Sequence, residues 1–207
     1  GLIVSGTASN VLLLTAETYS KHIHQKDKGN RTIFGDASAA TIISTEGFAE
    51  IGNFCLGTDG KGADNLIVKT GAMRNRKCLN DIVFDDSNNL SSSDFLFMNG
   101  SEIFNFTAEA VPALIKEVLN KNQIIEDEVG LYVFHQANKY MINYLRKLLN
   151  IDKERFYIFM EEIGNTVSST IPIALYEAQK ENLLKGNVII AGFGVGYSWG
   201  GVNLCCK

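Results

Sequence analysis

The period of the apolar positions changes several times along the chain. Leu2-Ile3-Val4 run into Ser5-Gly6-Thr7 with no cap ahead of them, which reads as the tail of a helix entered midway. Asn10-Val11-Leu12-Leu13-Leu14-Thr15 is a continuous apolar run of strand length, the pattern of a strand buried on both faces. Lys21 to Arg31 is polar and reads as a loop. Ile33 to Thr45 is rich in small and β-branched residues around Gly35-Asp36-Ala37-Ser38-Ala39-Ala40, predicting a strand that other backbone approaches closely.

Residues 46–100 are irregular, with Gly52, Gly57, Gly60, Gly62 and Gly71 breaking up short strands, and 87–93 (SNNLSSS) reads as a linker. From Ser101 the period becomes helical: Ile103, Phe104, Val111, Leu114, Ile115, Val118 and Leu119 share one face through Lys121. Pro112 interrupts this run and predicts a kink or a new helix start. A strand over Val129 to Phe134, a helix over Ala137 to Leu149 and a strand over Phe156 to Met160 follow. A helix over Ser168 to Leu183, with Pro172 in its first turn, leads to strands at Val188 to Ala191 and Tyr197 to Cys205. Buried strands alternating with helices predict an α/β fold. An echo between Asn10-Val11-Leu12-Leu13-Leu14 and Asn187-Val188-Ile189-Ile190-Ala191 fits either chance or two halves of a duplicated unit.

Composition narrows the function classes. The 207 residues are 45% hydrophobic and 20% charged with a net charge of −4, ordinary values for a globular protein with a real core. No basic stripe speaks for nucleic acid, and no apolar run approaches membrane-span length. The first residues lack the charged flank of a signal peptide, so the expected location is the cytoplasm. The four cysteines, Cys55, Cys78, Cys205 and Cys206, have no metal-binding spacing, and the adjacent pair suits a reducing compartment. Buried or incidental thiols are the plain reading, and neither a metal nor a cofactor is expected.

Three segments are candidates for chemistry. Val133-Phe134-His135-Gln136-Ala137-Asn138 puts a histidine where a strand gives way to a helix, the place where α/β folds build sites. Ile163-Gly164-Asn165-Thr166 occupies the same topological place one strand later. Phe193-Gly194-Val195-Gly196-Tyr197-Ser198-Trp199-Gly200 is a glycine-rich connection. Taken singly, each has a structural explanation: a satisfied histidine, a turn or helix cap, a close backbone approach.

In this order, however, the three segments resemble type III ketoacyl-carrier-protein synthases of the thiolase-like superfamily. The likeness extends to Arg31-Thr32-Ile33-Phe34-Gly35-Asp36 and Met98-Asn99-Gly100-Ser101-Glu102-Ile103-Phe104, and is weakest from Lys61 to Ser93. It implies a layered αβαβα sandwich built from two similar halves. Residues 1–92 would be the remnant of the N-terminal half, with excursion loops, and 93–207 a complete C-terminal half. Strands missing from the first half would leave core exposed. The resemblance further implies a homodimer, with an acyl-coenzyme A or other acyl thioester and an acyl-carrier protein as partners.

The family's catalytic trio is Cys-His-Asn. By motif, His135 is similar to the histidine and Asn165 to the asparagine, whereas the cysteine belongs about three helical turns upstream of Gly1. None of the four cysteines present stands in for it. The chemistry implied is decarboxylative Claisen condensation of an acyl thioester with malonyl-carrier protein. A thiolate at a helix N-terminus takes the acyl group, and His135 and Asn165 donate to the enolate oxygen that forms when carbon dioxide leaves. Asn165 points to the type III branch, since other decarboxylating synthases use two histidines and thiolases a second cysteine. Backbone N–H groups of Gly194, Val195 and Gly196 would form the oxyanion hole of the acyl-transfer step, Val195 replacing a glycine found in many relatives and either narrowing the pocket or shifting the turn. Tyr140 stands where relatives often place an arginine for the carrier or coenzyme phosphate, with Lys139 beside it, and Lys28 matches another basic position at the pantetheine entrance; solvated surface charge is the alternative for both lysines. His22 and His24 read as loop residues. Two further readings stay open: acyl transfer to an alcohol or amine without decarboxylation, and an inert structural fragment. The chain alone is expected to be inactive.

Overall fold

The computed structural model describes residues 1–87 and 89–207, so Asn88, within the stretch read as a linker, lies outside the described residues. After a turn in which Ser5 N–H reaches back to the Gly1 carbonyl and Gly6 takes a left-handed φ of 72°, two strands pair antiparallel: β1 (Asn10–Glu17) and β2 (Ala37–Ser44). The short strands β3 (Ala49–Ile51) and β4 (Cys55–Thr58) follow. Four two-residue strands then form small ribbons, with β5 (Leu66–Ile67) on β8 (Phe97–Met98), and β6 (Val83–Phe84) on β7 (Leu90–Ser91).

The rest of the chain builds one mixed sheet and its helices: α1 (Gly100–Asn122), β9 (Val129–Phe134), α2 (Lys139–Leu148), β10 (Phe156–Tyr157), α3 (Thr170–Lys180), β11 (Gly186–Gly194) and β12 (Ser198–Cys206). Strand order is β10-β9-β11-β12-β3, with β4 also on β12; β9 runs parallel to β10 and β11, and β12 antiparallel to β11, β3 and β4. Period-two alternation sorts the side chains between the two faces. Tyr132, Phe134, Ile189, Ala191 and Phe193 pack with α1 and α2, while Leu131, Val133, Val188 and Val202 pack with α3. Helix α3 lies between this sheet and the β1–β2 ribbon, where the Thr15 and Ser169 hydroxyls meet at 2.9 Å and Ser168 donates to Glu17 at 2.8 Å. The layers are thus helix, sheet, helix, ribbon, a mixed α/β sandwich.

Three local expectations change. The run Asn10–Thr15 is only partly covered, and on one face: Val11 and Thr15 are half-buried, whereas Leu12, Leu13 and Leu14 are 58%, 47% and 67% exposed. A two-stranded ribbon has a single packing partner here, so apolar content alone cannot bury both of its faces. Pro112 begins no new helix, since α1 runs through it for 23 residues. The proline removes one backbone bond, and the burial of Val111, Leu114, Ile115 and Val118 around it offsets the loss. The strand expected to reach Met160 pairs only over Phe156 and Tyr157, because its neighbour β9 ends at Phe134. Beyond that point the Phe159 N–H donates instead to the Gln136 side chain, at 2.9 Å.

Candidate active site

The parallel strands β9 and β11 end side by side, and a cavity of about 610 Å³ opens beyond their C-terminal ends. Each residue of the His135–Asn138 segment has a distinct task there. The His135 N–H donates to the Ala191 carbonyl at 2.8 Å and so carries the ladder one step past β9. Gln136, wholly buried, donates to the Phe134 carbonyl at 2.6 Å and accepts from Phe159, tying the end of β9 to the chain leaving β10. Asn138 caps α2, its side-chain oxygen accepting the Met141 N–H at 2.8 Å. The imidazole between these locks borders the cavity. Its Nδ1 lies 2.7 Å from the Thr170 hydroxyl, and its ring meets Phe193 edge to face at 5.5 Å between centroids.

Asn165 borders the same cavity and is buried. Its backbone forms a bridge with the chain before β2: its N–H donates to Ile33 at 2.8 Å, and its carbonyl accepts from Gly35 at 3.0 Å. Gly164, at a φ of 67°, makes the turn into the bridge. Gly35 permits the close approach, since a Cβ there would sit 2.0 Å from the Ile163 carbonyl oxygen. The side-chain oxygen of Asn165 accepts the Val167 N–H at 2.9 Å, which leaves the amide NH₂ to face the cavity as a donor. Val167 pays for that bond with a φ of 55°, a left-handed conformation costing a β-branched residue about 1–2 kcal/mol.

Burial lowers the His135 pKa from 6.5 to about 4, so the ring is neutral near pH 7. Between those values the unfolded chain binds the proton and the folded chain does not. The folded state therefore loses stability as pH falls through 6.5 and stops losing it on this account below about 4. The expected loss is at most roughly 3 kcal/mol. Urea midpoints for the wild type and His135→Gln over this range check it: the wild-type midpoint should fall more steeply, and parallel curves would refute it.

The rest of the lining is mostly apolar, including Ile33, Met98, Ile103, Phe193 and Trp199. Gly194 and Val195 border the cavity, while Gly196 lies outside its lining. The turn is anchored from behind through Tyr197, whose ring stacks on Phe106 at 4.0 Å and whose hydroxyl accepts from Asn65 at 2.6 Å. Lys28 borders a second, more polar cavity of about 330 Å³, and Ile33 and Met98 belong to both. Lys139 is exposed and paired with Glu161; such surface pairs contribute little. Among the described residues no cysteine borders the main cavity. Cys55 and Cys206 are buried, which pushes both thiols up, and Cys78 and Cys205 are exposed. Among the described residues no cluster of His, Cys, Asp and Glu is arranged to hold a metal, and no helix is long and apolar enough to cross a membrane.

Two family models match the chain. The C-terminal model of 3-oxoacyl-[acyl-carrier-protein] synthase III covers residues 119–205, and a second model of the same enzyme covers residues 1–60. The chain belongs to the 3-oxoacyl-[acyl-carrier-protein] synthase III family. A beta-ketoacyl-[acyl-carrier-protein] synthase III from Clostridium tetani is 36% identical over 200 residues, covering 95% of this chain and 60% of the relative. The Clostridium perfringens protein of the same name is 38% identical over 202 residues, 96% of this chain and 60% of its own length. A crystal structure of a 3-oxoacyl-(acyl-carrier-protein) synthase III superposes with a TM-score of 0.93 at 41% identity, covering the whole chain and 63% of that structure. A synthase from Burkholderia xenovorans gives 0.85 at 36% identity, covering the whole chain and 58% of the other. The chain spans about 60% of the length of the curated relatives it matches. The layered thiolase-like sandwich expected from the motifs is the fold of these structures.

The motifs singled out His135, Asn165 and the glycine turn, but not Thr170, Val167 or the packing contact at Gly35. A hydroxyl residue at the start of a helix was the available signal for Thr170. Nothing along the chain announces that it meets a histidine 35 positions earlier.

Proposed function

We propose that this chain supplies the charge-stabilising part of a decarboxylating Claisen condensation between an acyl thioester and malonyl-carrier protein. The observation that carries the reading is the pair of neutral side chains, His135 and Asn165, bordering one largely apolar cavity and linked behind it through Thr170 and Val167. As the bond to the carboxylate of a malonyl thioester breaks, its electron pair passes into an enolate and places negative charge on the thioester oxygen. Two fixed donors in a dry site stabilise that charge without reorganisation. The enolate carbon then attacks an acyl thioester carbonyl, and the thiolate leaves. Backbone N–H groups of Gly194 and Val195 are the proposed donors to the oxyanion of that step, Gly196 lying outside the cavity lining. Among the described residues no thiol borders the cavity, so the reading places the acyl-carrying cysteine in a part of the longer relatives that these 207 residues do not include. The same reading carries an acyl-carrier protein as partner, a homodimer as assembly and the cytoplasm as location, with Lys28 at the approach to the cavity for a carrier or coenzyme phosphate.

The expected inactivity of the chain alone is thereby confined to condensation: it should neither become acylated nor make a condensation product, while its donor pair should still release carbon dioxide from malonyl-coenzyme A. A longer protein that includes the cysteine should yield one 3-oxoacyl product per carbon dioxide. Ester or amide formation with no carbon dioxide would favour the non-decarboxylating alternative. Turnover through a covalent acyl adduct on any of the four cysteines would overturn the division of labour.

A further inference from the structure

Resting on the donor role proposed for His135, we infer that Thr170 is a positioning residue whose hydroxyl donates to His135 Nδ1 and so keeps the ring proton on Nε2. A neutral imidazole has one N–H, and the nitrogen that carries it decides whether the cavity meets a donor or an acceptor. His135 is held neutral at physiological pH by its burial. Nδ1 is the nitrogen beside Thr170, 2.7 Å away, and Nε2 has no hydrogen-bond partner among the described residues.

The Thr170 hydroxyl has a single hydrogen and two acceptors in reach: His135 Nδ1 at 2.7 Å and the Val167 carbonyl at 2.9 Å. If the hydrogen went to Val167, Nδ1 would have to carry the ring proton, and the cavity would face a bare nitrogen. The Val167 carbonyl already accepts the Thr170 backbone N–H, so it is not left unpaired when the hydroxyl turns to the histidine. Among the described residues Nδ1 has this one partner. Thr170 is 1% exposed, so no water competes for its hydroxyl from bulk solvent. The same residue, Val167, gives its N–H to the Asn165 oxygen. One left-handed residue thus anchors both donors, Asn165 directly and His135 through Thr170.

The test is nitrogen NMR of the chain labelled at its three histidines, with His135→Gln identifying the signal. The wild type should show a protonated Nε2 and an Nδ1 shifted as a hydrogen-bond acceptor. Thr170→Val should move the Nδ1 signal toward that of an unbonded acceptor, and Thr170→Ser should restore it. Carbon dioxide release from malonyl-coenzyme A should fall roughly tenfold in Thr170→Val, through kcat rather than KM, and recover in Thr170→Ser. A proton on Nδ1 in the wild type overturns the inference, even if Thr170→Val does not fold. So does an Nδ1 signal that Thr170→Val leaves unmoved, or a serine variant as impaired as the valine. If the tautomer responds as expected while His135→Ala leaves decarboxylation untouched, the tautomer assignment holds and the functional reading fails.

Discussion

His135→Ala is expected to lower carbon dioxide release from a malonyl thioester by about a hundred- to a thousand-fold, the usual effect of removing one preorganised donor. The loss should fall on kcat, because the donor strengthens its bond only as charge develops on the thioester oxygen. The change is also structurally mild. The histidine's ladder bond to Ala191 is made by its backbone, and the lock between β9 and β10 belongs to Gln136, so both survive the truncation. Asn165→Asp makes the complementary probe. The aspartate keeps an oxygen for the Val167 N–H but replaces the cavity-facing NH₂ with an acceptor that carries charge. A loss at least as large as that of His135→Ala is expected, and it should shrink at low pH as the carboxyl takes up a proton. Wild-type decarboxylation by His135→Ala would remove the main support for the proposed function.

Gly35→Ala is the second large effect, and it acts through position. The added Cβ would lie 2.0 Å from the Ile163 carbonyl oxygen and 3.1 Å from its carbon, and both are backbone atoms with no rotamer to yield. Either the bridge between Phe34 and Asn165 opens or the strand start at Ala37 shifts. The expected cost is about 2–3 kcal/mol of stability, read as a lower urea midpoint. Decarboxylation should drop further than the folded fraction accounts for, because Asn165 moves with the bridge. Gly60→Ala is the matched control, since nothing lies within 4 Å of the Cβ it would add. Equal midpoints for the two variants would mean that the close approach at Gly35 carries no weight.

These two sites also separate what is legible along the chain from what is not. The alternation of helix and strand from Ser101 onward follows from periodicity, because a buried sheet flanked by helices imposes strict patterns on both. The β9 strand coincides with its expected span, Val129–Phe134, and α2, α3, β11 and β12 lie within a few residues of theirs. The motif order was enough to indicate the family, since few arrangements combine a histidine, a Gly-Asn pair and a glycine turn at successive strand ends. Tertiary structure decided the rest. Whether Leu12 and Leu14 are covered depends on what packs against a ribbon, and whether Pro112 breaks a helix depends on the contacts around it. That His135 and Asn165 border one cavity, with Thr170 and Val167 between them, is a matter of contacts between residues far apart in the chain. The pattern of side chains sets which face of an element is buried. Only the packed backbone fixes distances to a few tenths of an ångström, and with them the direction of a donor and the nitrogen that bears its proton.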